Sequence, residues 1–190
     1  LRQNKPGDYG VMAIAMAGIC IPPFVVGPIL SLVFGIKLQW LPAAGLDPLQ
    51  GMTLSNLLLP IITLALPQIA IVSRLMRASM IETLRSNFIR TARAKGMTQA
   101  HAARRHGLRA AILPLVSYLG PAAAGLVTGS VVIEQIFQLP GIGRQFVLGA
   151  LQRDYTVVMG VVILYAGLIL LLNLLADVLY AMLDPRVRLT

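Results

Sequence analysis

Four stretches of this 190-residue chain carry no charged side chain over at least the ~20 positions a helix needs to cross a hydrocarbon layer: 9–36, 54–73, 110–133 and 155–176. Lipid offers no partners to backbone N–H and C=O groups, so runs of this kind fold as helices that satisfy their own polar groups. The spacing predicts four transmembrane helices, packed as an all-α polytopic bundle that forms one domain over 1–190. Pro22, Pro23 and Pro28 in the first run, and Pro60 and Pro67 in the second, are expected to kink or interrupt their helices. With 57% hydrophobic and 12% charged residues, and a mean hydropathy of +0.79, the chain lies well outside the range of soluble domains.

The charge that remains is distributed unevenly. Of the sixteen Lys and Arg residues, thirteen fall at the start of the chain, between 74 and 109, or at its end. The segments 37–53 and 134–154 hold only Lys37, Arg144 and Arg153. Basic residues are retained on the cytoplasmic side, so both ends and the central segment are expected there, in a multi-pass protein of a cell membrane. A net charge of +9 in a soluble chain would suggest nucleic acid, but Phe88 is the single aromatic residue of the central block, and base stacking needs more. No nucleic-acid partner is expected.

Other chemistry is sparse. Cys20 is the only cysteine and cannot form an intrachain disulfide. His101 and His106 lack carboxylate or thiol neighbours at ligand spacing, so no metal site is expected and neither is given a chemical role. No phosphate-binding glycine loop, nucleophile with a base, or paired carboxylates occur, which predicts that the chain is not an enzyme and holds no cofactor. The chain starts on Leu without a cleavable leader, and the natural protein is expected to begin further upstream.

The central block, 74–109, has helical pattern as well as charge. Ile81, Leu84, Phe88 and Ala92 recur at helical spacing, and 79–95 contains neither Gly nor Pro, which predicts an amphipathic helix. Gly96 should end it, and Thr98 can cap a second helix over 99–109 ahead of Pro114 at the third span. A helix, a bend and a helix suit docking on a soluble partner. A simpler role is a topological anchor that holds anionic lipid, at roughly 1 kcal/mol per basic residue.

Within that block, "RTARAKG" and "RHGLRAAILP" resemble the cytoplasmic loop motif of ABC importer permeases, which runs E-A-A, three residues, G, nine residues, I, one residue, L-P. Ala92, Gly96 and Leu108 fall on the motif, whereas Arg90 and Thr91 replace its first Glu and Ala, His106 its Ile and Arg109 its Pro. This is similar to the form found in the peptide/nickel branch. "RLMRASMIETLRSNFIRTARAKG", "EQIFQLPGIGRQF", "RDYTVVMGVV" and "NLLADVLYAMLDPRVRL", in this order, extend the resemblance to the dipeptide/oligopeptide/nickel (DppB/OppB-type) permease subunits across nearly the whole chain. "LQWLPAAG" favours the B-type subunit over its C-type partner. Such subunits have six membrane helices, which implies two more in leading residues.

The resemblance implies that 91–105 forms a coupling helix seated on a cytoplasmic ATPase, with Thr91, Ala92, Arg93, Ala94, Lys95, Gly96, Thr98, Arg104 and Arg105 as the docking residues. Gly96 would permit the bend and close backbone approach, and Arg93 and Lys95 would offer charge. It also implies a bacterial or archaeal (inner) membrane setting, import as the direction, a second permease subunit, two ATPase subunits that handle ATP and Mg, an external solute-binding protein, and surrounding membrane lipid. The substrate among dipeptides, longer peptides, nickel chelates and glutathione is left open, and no substrate-binding residue is assigned.

Three further features carry expectations. The segment 134–146, with Pro140, Gly141 and Gly143, reads as an interfacial or re-entrant element, or equally as a structural hairpin, on the outer side. Gly125 and Gly129 form a small-xxx-small pair suited to close approach by another helix, such as one of a companion subunit. Asn173 and Asp177 share a face of the last span, where a structural role outweighs proton transfer, and Asp184, Pro185 and Arg186 should stop that helix. An ion-gradient-driven transporter or channel is the alternative function; the polar residues within the spans that it would use are few, chiefly Thr63, Gln68 and Thr128. A non-transporting scaffold is a third reading.

Overall fold

The computed structural model describes residues 6–46 and 51–183. The basic residues at both ends of the chain, and Asp184, Pro185 and Arg186, lie outside that range. Among the described residues the fold is helical throughout: α1 (Pro6–Cys20), α2 (Pro23–Leu30) running into a π-helical turn (Ser31–Lys37), α3 (Leu54–Leu84), α4 (Asn87–Ala94), α5 (Gln99–Ala102), a second π-helical turn (Ala103–Gly107), α6 (Leu108–Ala111), α7 (Leu113–Ile136), α8 (Ile142–Gln152) and α9 (Tyr155–Leu183).

Three helices, α3, α7 and α9, are long and apolar enough to cross a membrane. The first apolar run, the fourth expected span, is interrupted at its prolines as expected: it is two helices, α1 and α2, neither as long as these three. Pro22 has no N–H to donate and adopts an extended conformation, φ −62° and ψ 144°, so α1 ends at Cys20 and α2 restarts with Pro23 in its first turn. The carbonyl of Pro22 accepts from Val25 N and Val26 N at 2.9 and 3.2 Å. Pro60 and Pro67 behave differently, because α3 runs unbroken through both for 31 residues. Pro60 sits in the buried face of α3 beside Leu59 and Thr63, where neighbouring helices hold the segment in place.

The core is concentrated at the ends of the spans remote from the basic block. Leu59, Ile133, Phe137 and Leu139 are buried together, with Leu30, Phe34 and Leu41 packed around them. The loop after α2 folds back over this cluster: Ser31 Oγ donates to Ala43 O at 2.7 Å, and Gly45 N donates to Phe137 O at 2.8 Å. Gly35 is required there, since a Cβ would lie 2.5 Å from Ala43 Cα. Buried Asn56 ties the same loop to the start of α3 by donating to Gly45 O at 2.9 Å while accepting from Thr53 N at 3.2 Å. By contrast α9 buries only 6% of its most apolar window, so most of its Leu, Ile and Val side chains face outward, as expected of a lipid-facing helix.

Small residues set the distances between spans. Gly18 of α1 lies against Ala70 of α3, whose Cβ would be 3.4 Å from a Cβ added at Gly18. A Cβ on Gly125 or Gly129 would lie 3.6 Å from Gln68 Nε2 or 3.5 Å from Leu64 Cδ2, so the close-approach pair faces α3 of this chain. Gly120 abuts Asn173 of α9, whose side chain leaves no room for a Cβ. Asp177, one turn further on, is exposed.

Candidate functional site

The helix that leads into the basic block is the span itself. The sequence places the end of the second apolar run at 73, yet α3 continues to Leu84, carrying Arg74, Arg77 and Glu82 beyond the apolar stretch. Arg77 and Asp8 form an ion pair, Nη2 to Oδ2 at 2.6 Å and Nε to Oδ1 at 2.8 Å, that fastens α1 to this extension.

The expected continuous helix over 79–95 is interrupted. Arg85 N and Ser86 N donate to Glu82 O and Thr83 O, both at 3.1 Å, and Ser86 Oγ donates to Thr83 O at 2.6 Å. Ser86 is then extended (φ −66°, ψ 155°) and begins α4. Such local side-chain bonds give serine an alternative to continuing the helix. The break rotates the register. Ile89 is buried at 2% exposure, whereas Phe88, expected on the inner face, is 48% exposed. Ile89, Ala92 and Ala102 form a small second core, with Leu84 and Met97 packed against it.

The bend is an interlocked helix end. Gly96 N donates to Arg93 O at 3.0 Å and Met97 N donates to Ala92 O at 3.3 Å, the paired bonds of a Schellman motif. Met97 supplies the apolar contact that accompanies it by packing on the Ile89 and Ala92 cluster. Gly96 has φ +88°, which explains the need for glycine. A Cβ there would meet nothing within 4 Å, so close backbone approach within the chain is not the reason for it. Thr98 then caps α5, accepting from His101 N at 3.4 Å.

These constraints fix which sequence-predicted docking residues are accessible. Thr91, Arg93, Ala94, Lys95, Gly96, Thr98, Arg104 and Arg105 are exposed. Ala92 is corrected to a buried position at 8% exposure, where it supports the bend from inside. The segment 91–105, expected as one coupling helix, is not one helix: it comprises the end of α4, the bend, α5 and part of a π-helical turn. His101 and His106 are exposed, and no metal-ligand grouping occurs among the described residues.

At the other end of the spans, 134–146 comprises the end of α7, a turn and the start of α8, which packs on both α7 and α9. The sequence reading gave Glu134 no role. Its Oε2 accepts from Arg144 N at 3.1 Å, in the first turn of α8, so the acid closing α7 caps the helix that follows. Gly141 and Gly143 make room for it: the Glu134 carboxylate occupies the place of a Gly141 Cβ, and a Gly143 Cβ would sit 2.5 Å from Val131 Cα. An acid followed at a short interval by two glycines was the only signal available in sequence.

The three polar residues that the sequence singles out within the spans are hydrogen-bonded within the chain, whereas the buried Gln135 Nε2 at the end of α7 has no partner among the described residues. Thr63 Oγ1 donates to Leu59 O at 2.7 Å, Thr128 Oγ1 donates to Ala124 O at 2.9 Å, and Gln68 Oε1 accepts from Tyr118 OH at 2.9 Å.

A helical membrane domain with a structured basic bend has close relatives. The family model of the binding-protein-dependent transport system inner membrane component matches residues 1–189. The chain is 52% identical over 188 residues to the oligopeptide transport system permease protein OppB of Salmonella typhimurium and 51% identical to that of Escherichia coli K12, covering 99% of this chain and 60% of each relative. It is 40% identical over 190 residues to the dipeptide transport system permease protein DppB of Bacillus subtilis, again with 60% of the relative covered. The chain thus spans about 60% of the length of the curated relatives it matches. Across its whole described length, this chain belongs to the binding-protein-dependent transport system inner membrane component family of multi-pass permeases.

Proposed function

We propose that the chain forms the transmembrane part of a permease subunit in an ATP-driven ABC importer for peptides. The observation that carries this reading is the exposed bend around Gly96, carried by α4 beyond the end of a 31-residue helix that is long and apolar enough to span a membrane. A partner that moves Arg93, Lys95 and Thr98 pulls on a second core continuous, through Leu84, with α3. Closure of two ATPase subunits would move the loop and with it the span, shifting the bundle between outward and inward access. ATP and Mg would be held by those subunits, which lie apart from this chain. A second permease subunit and an external solute-binding protein complete the assembly. Peptide as the substrate class is supported by the names of the relatives, which are oligopeptide and dipeptide permeases.

The excess of Lys and Arg at the bend supports a cytoplasmic placement of 74–109, which puts 37–53 and 134–154 outside. The full-length permease should copurify with an ATPase subunit, and Arg93→Glu with Lys95→Glu should weaken that association while leaving membrane level and thermal stability unchanged, because both side chains are exposed. Loss of labelled-peptide uptake in parallel would complete the case. Retained association and uptake in that variant would remove the docking reading.

A further inference from the structure

Beside the bend, on the flank that faces α3, lies a cleft of about 470 Å³. Its apolar wall is made by Met80 and Leu84 of α3 with Ala103 and Leu108, and its polar rim by Gln99 and Arg104. Leu108 is 43% exposed although it points along this wall, and Met80 and Leu84 lie 3.7 Å from where a Gly107 Cβ would be. Among the described residues Arg104 makes no ion pair. The cleft is therefore amphiphilic: an unpaired cation at one edge of an apolar wall, with Leu108 two residues before the third apolar run begins at 110.

We propose that this cleft is a binding site for one anionic phospholipid, with an acyl chain against Met80, Leu84 and Leu108 and the phosphate on Arg104. Charge complementarity selects this occupant. Residues 74–109 hold nine Lys and Arg residues and one acid, Glu82, and Arg77 is already engaged by Asp8. Diffuse attraction of a basic loop to an anionic surface needs no cleft. Here an apolar wall beneath the cation matches the two halves of a lipid, as long basic side chains at membrane boundaries combine an apolar stem with a charged head. The site lies on the flank of the helix-bend-helix and leaves the tip, at Gly96, open to a protein. It does not depend on the importer reading.

The test uses the full-length permease in bilayers of phosphatidylcholine with phosphatidylglycerol, each supplied in turn with a photoactivatable acyl chain. Labelled phosphatidylglycerol should attach at Met80, Leu84 or Leu108 several-fold more than labelled phosphatidylcholine. Arg104→Gln should remove that preference, Arg104→Lys should keep it, and Leu108→Glu should abolish labelling. Arg93→Glu, at the tip, should leave it unchanged, which separates this outcome from failure of ATPase docking. Since Arg104 and Leu108 are exposed, these variants are expected to keep the fold, checked by unchanged thermal stability. Equal labelling by both lipids, or labelling indifferent to Arg104, would reduce the block to a diffuse anchor and overturn the proposal. Loss of labelling when ATPase subunits bind would give the cleft to the protein partner and overturn it as well.

Discussion

Asp8 and Arg77, 69 residues apart, meet through two parallel hydrogen bonds of 2.8 and 2.6 Å that join the first helix to the part of α3 lying beyond its apolar stretch. The planar guanidinium fork matches the carboxylate, so the pair fixes orientation as well as distance. It places α1 on the same lever that carries the basic bend.

This pairing predicts a specific pattern of variants. Asp8→Asn and Arg77→Gln should each lower the unfolding temperature of the full-length permease in detergent. The double variant should be no worse than the more damaging single one, as expected when two residues share one interaction. Arg77→Lys should recover only part of the loss, because an ammonium cannot make the two-pronged bond.

At Gly96, the positive φ of +88° makes any side chain strained regardless of the open space around it. Gly96→Ala should cost about 1–2 kcal/mol, and Gly96→Asn less, since asparagine tolerates the left-handed region. Hydrogen exchange should show the loss confined to amides of α4 and α5. A uniform loss over the spans would contradict the local origin of the effect.

Around α8, the two glycines should respond differently. Gly141→Ala collides with the Glu134 carboxylate, and a Glu134→Ala background should relieve much of its damage. Gly143→Ala meets the backbone of Val131 at 2.5 Å, so the same background should not rescue it. Glu134→Ala alone should cost about 0.5–2 kcal/mol, the range for removal of a helix cap. Thermal unfolding of the three single and two double variants tests the pattern.

Between α7 and α9, Gly120→Ala should force the helices apart at Asn173 and cost about 1–3 kcal/mol, as overpacking does. Pairing it with Asn173→Ala should restore most of the stability. A cysteine crosslinking series across α7 and α9 would report the same displacement and recovery as changes in yield.

Much of this architecture was legible because hydrophobic length and charge act locally. The starts of α3 and α9 match the apolar runs, since Thr53 and Asp154 sit where the runs begin, and Asp154 Oδ1 accepts from both Thr156 N and Val157 N at 3.1 Å. Gly96 and Thr98 were readable because the left-handed turn and the cap are chemical needs of single positions. The inner face of the basic block was misread by one position: spacing selected Phe88, and the break at Ser86 turned Ile89 inward instead. A serine in a helical pattern does not announce which way its backbone will go, because its hydroxyl can serve either choice.

Sequence alone determined that this is a helical membrane chain with a basic helix-bend-helix, because uncharged runs of this length satisfy their backbone polar groups in lipid as helices and glycine suits the left-handed position of the turn. Tertiary structure decided the rest. It carried α3 unbroken through Pro60 and Pro67 and aimed Gly125 and Gly129 at α3. It also paired Asp8 with Arg77 and set Arg104 above an apolar wall. Each of these depends on which distant surface arrives beside a residue. No local propensity encodes that meeting; it is set by the packing of whole helices against one another.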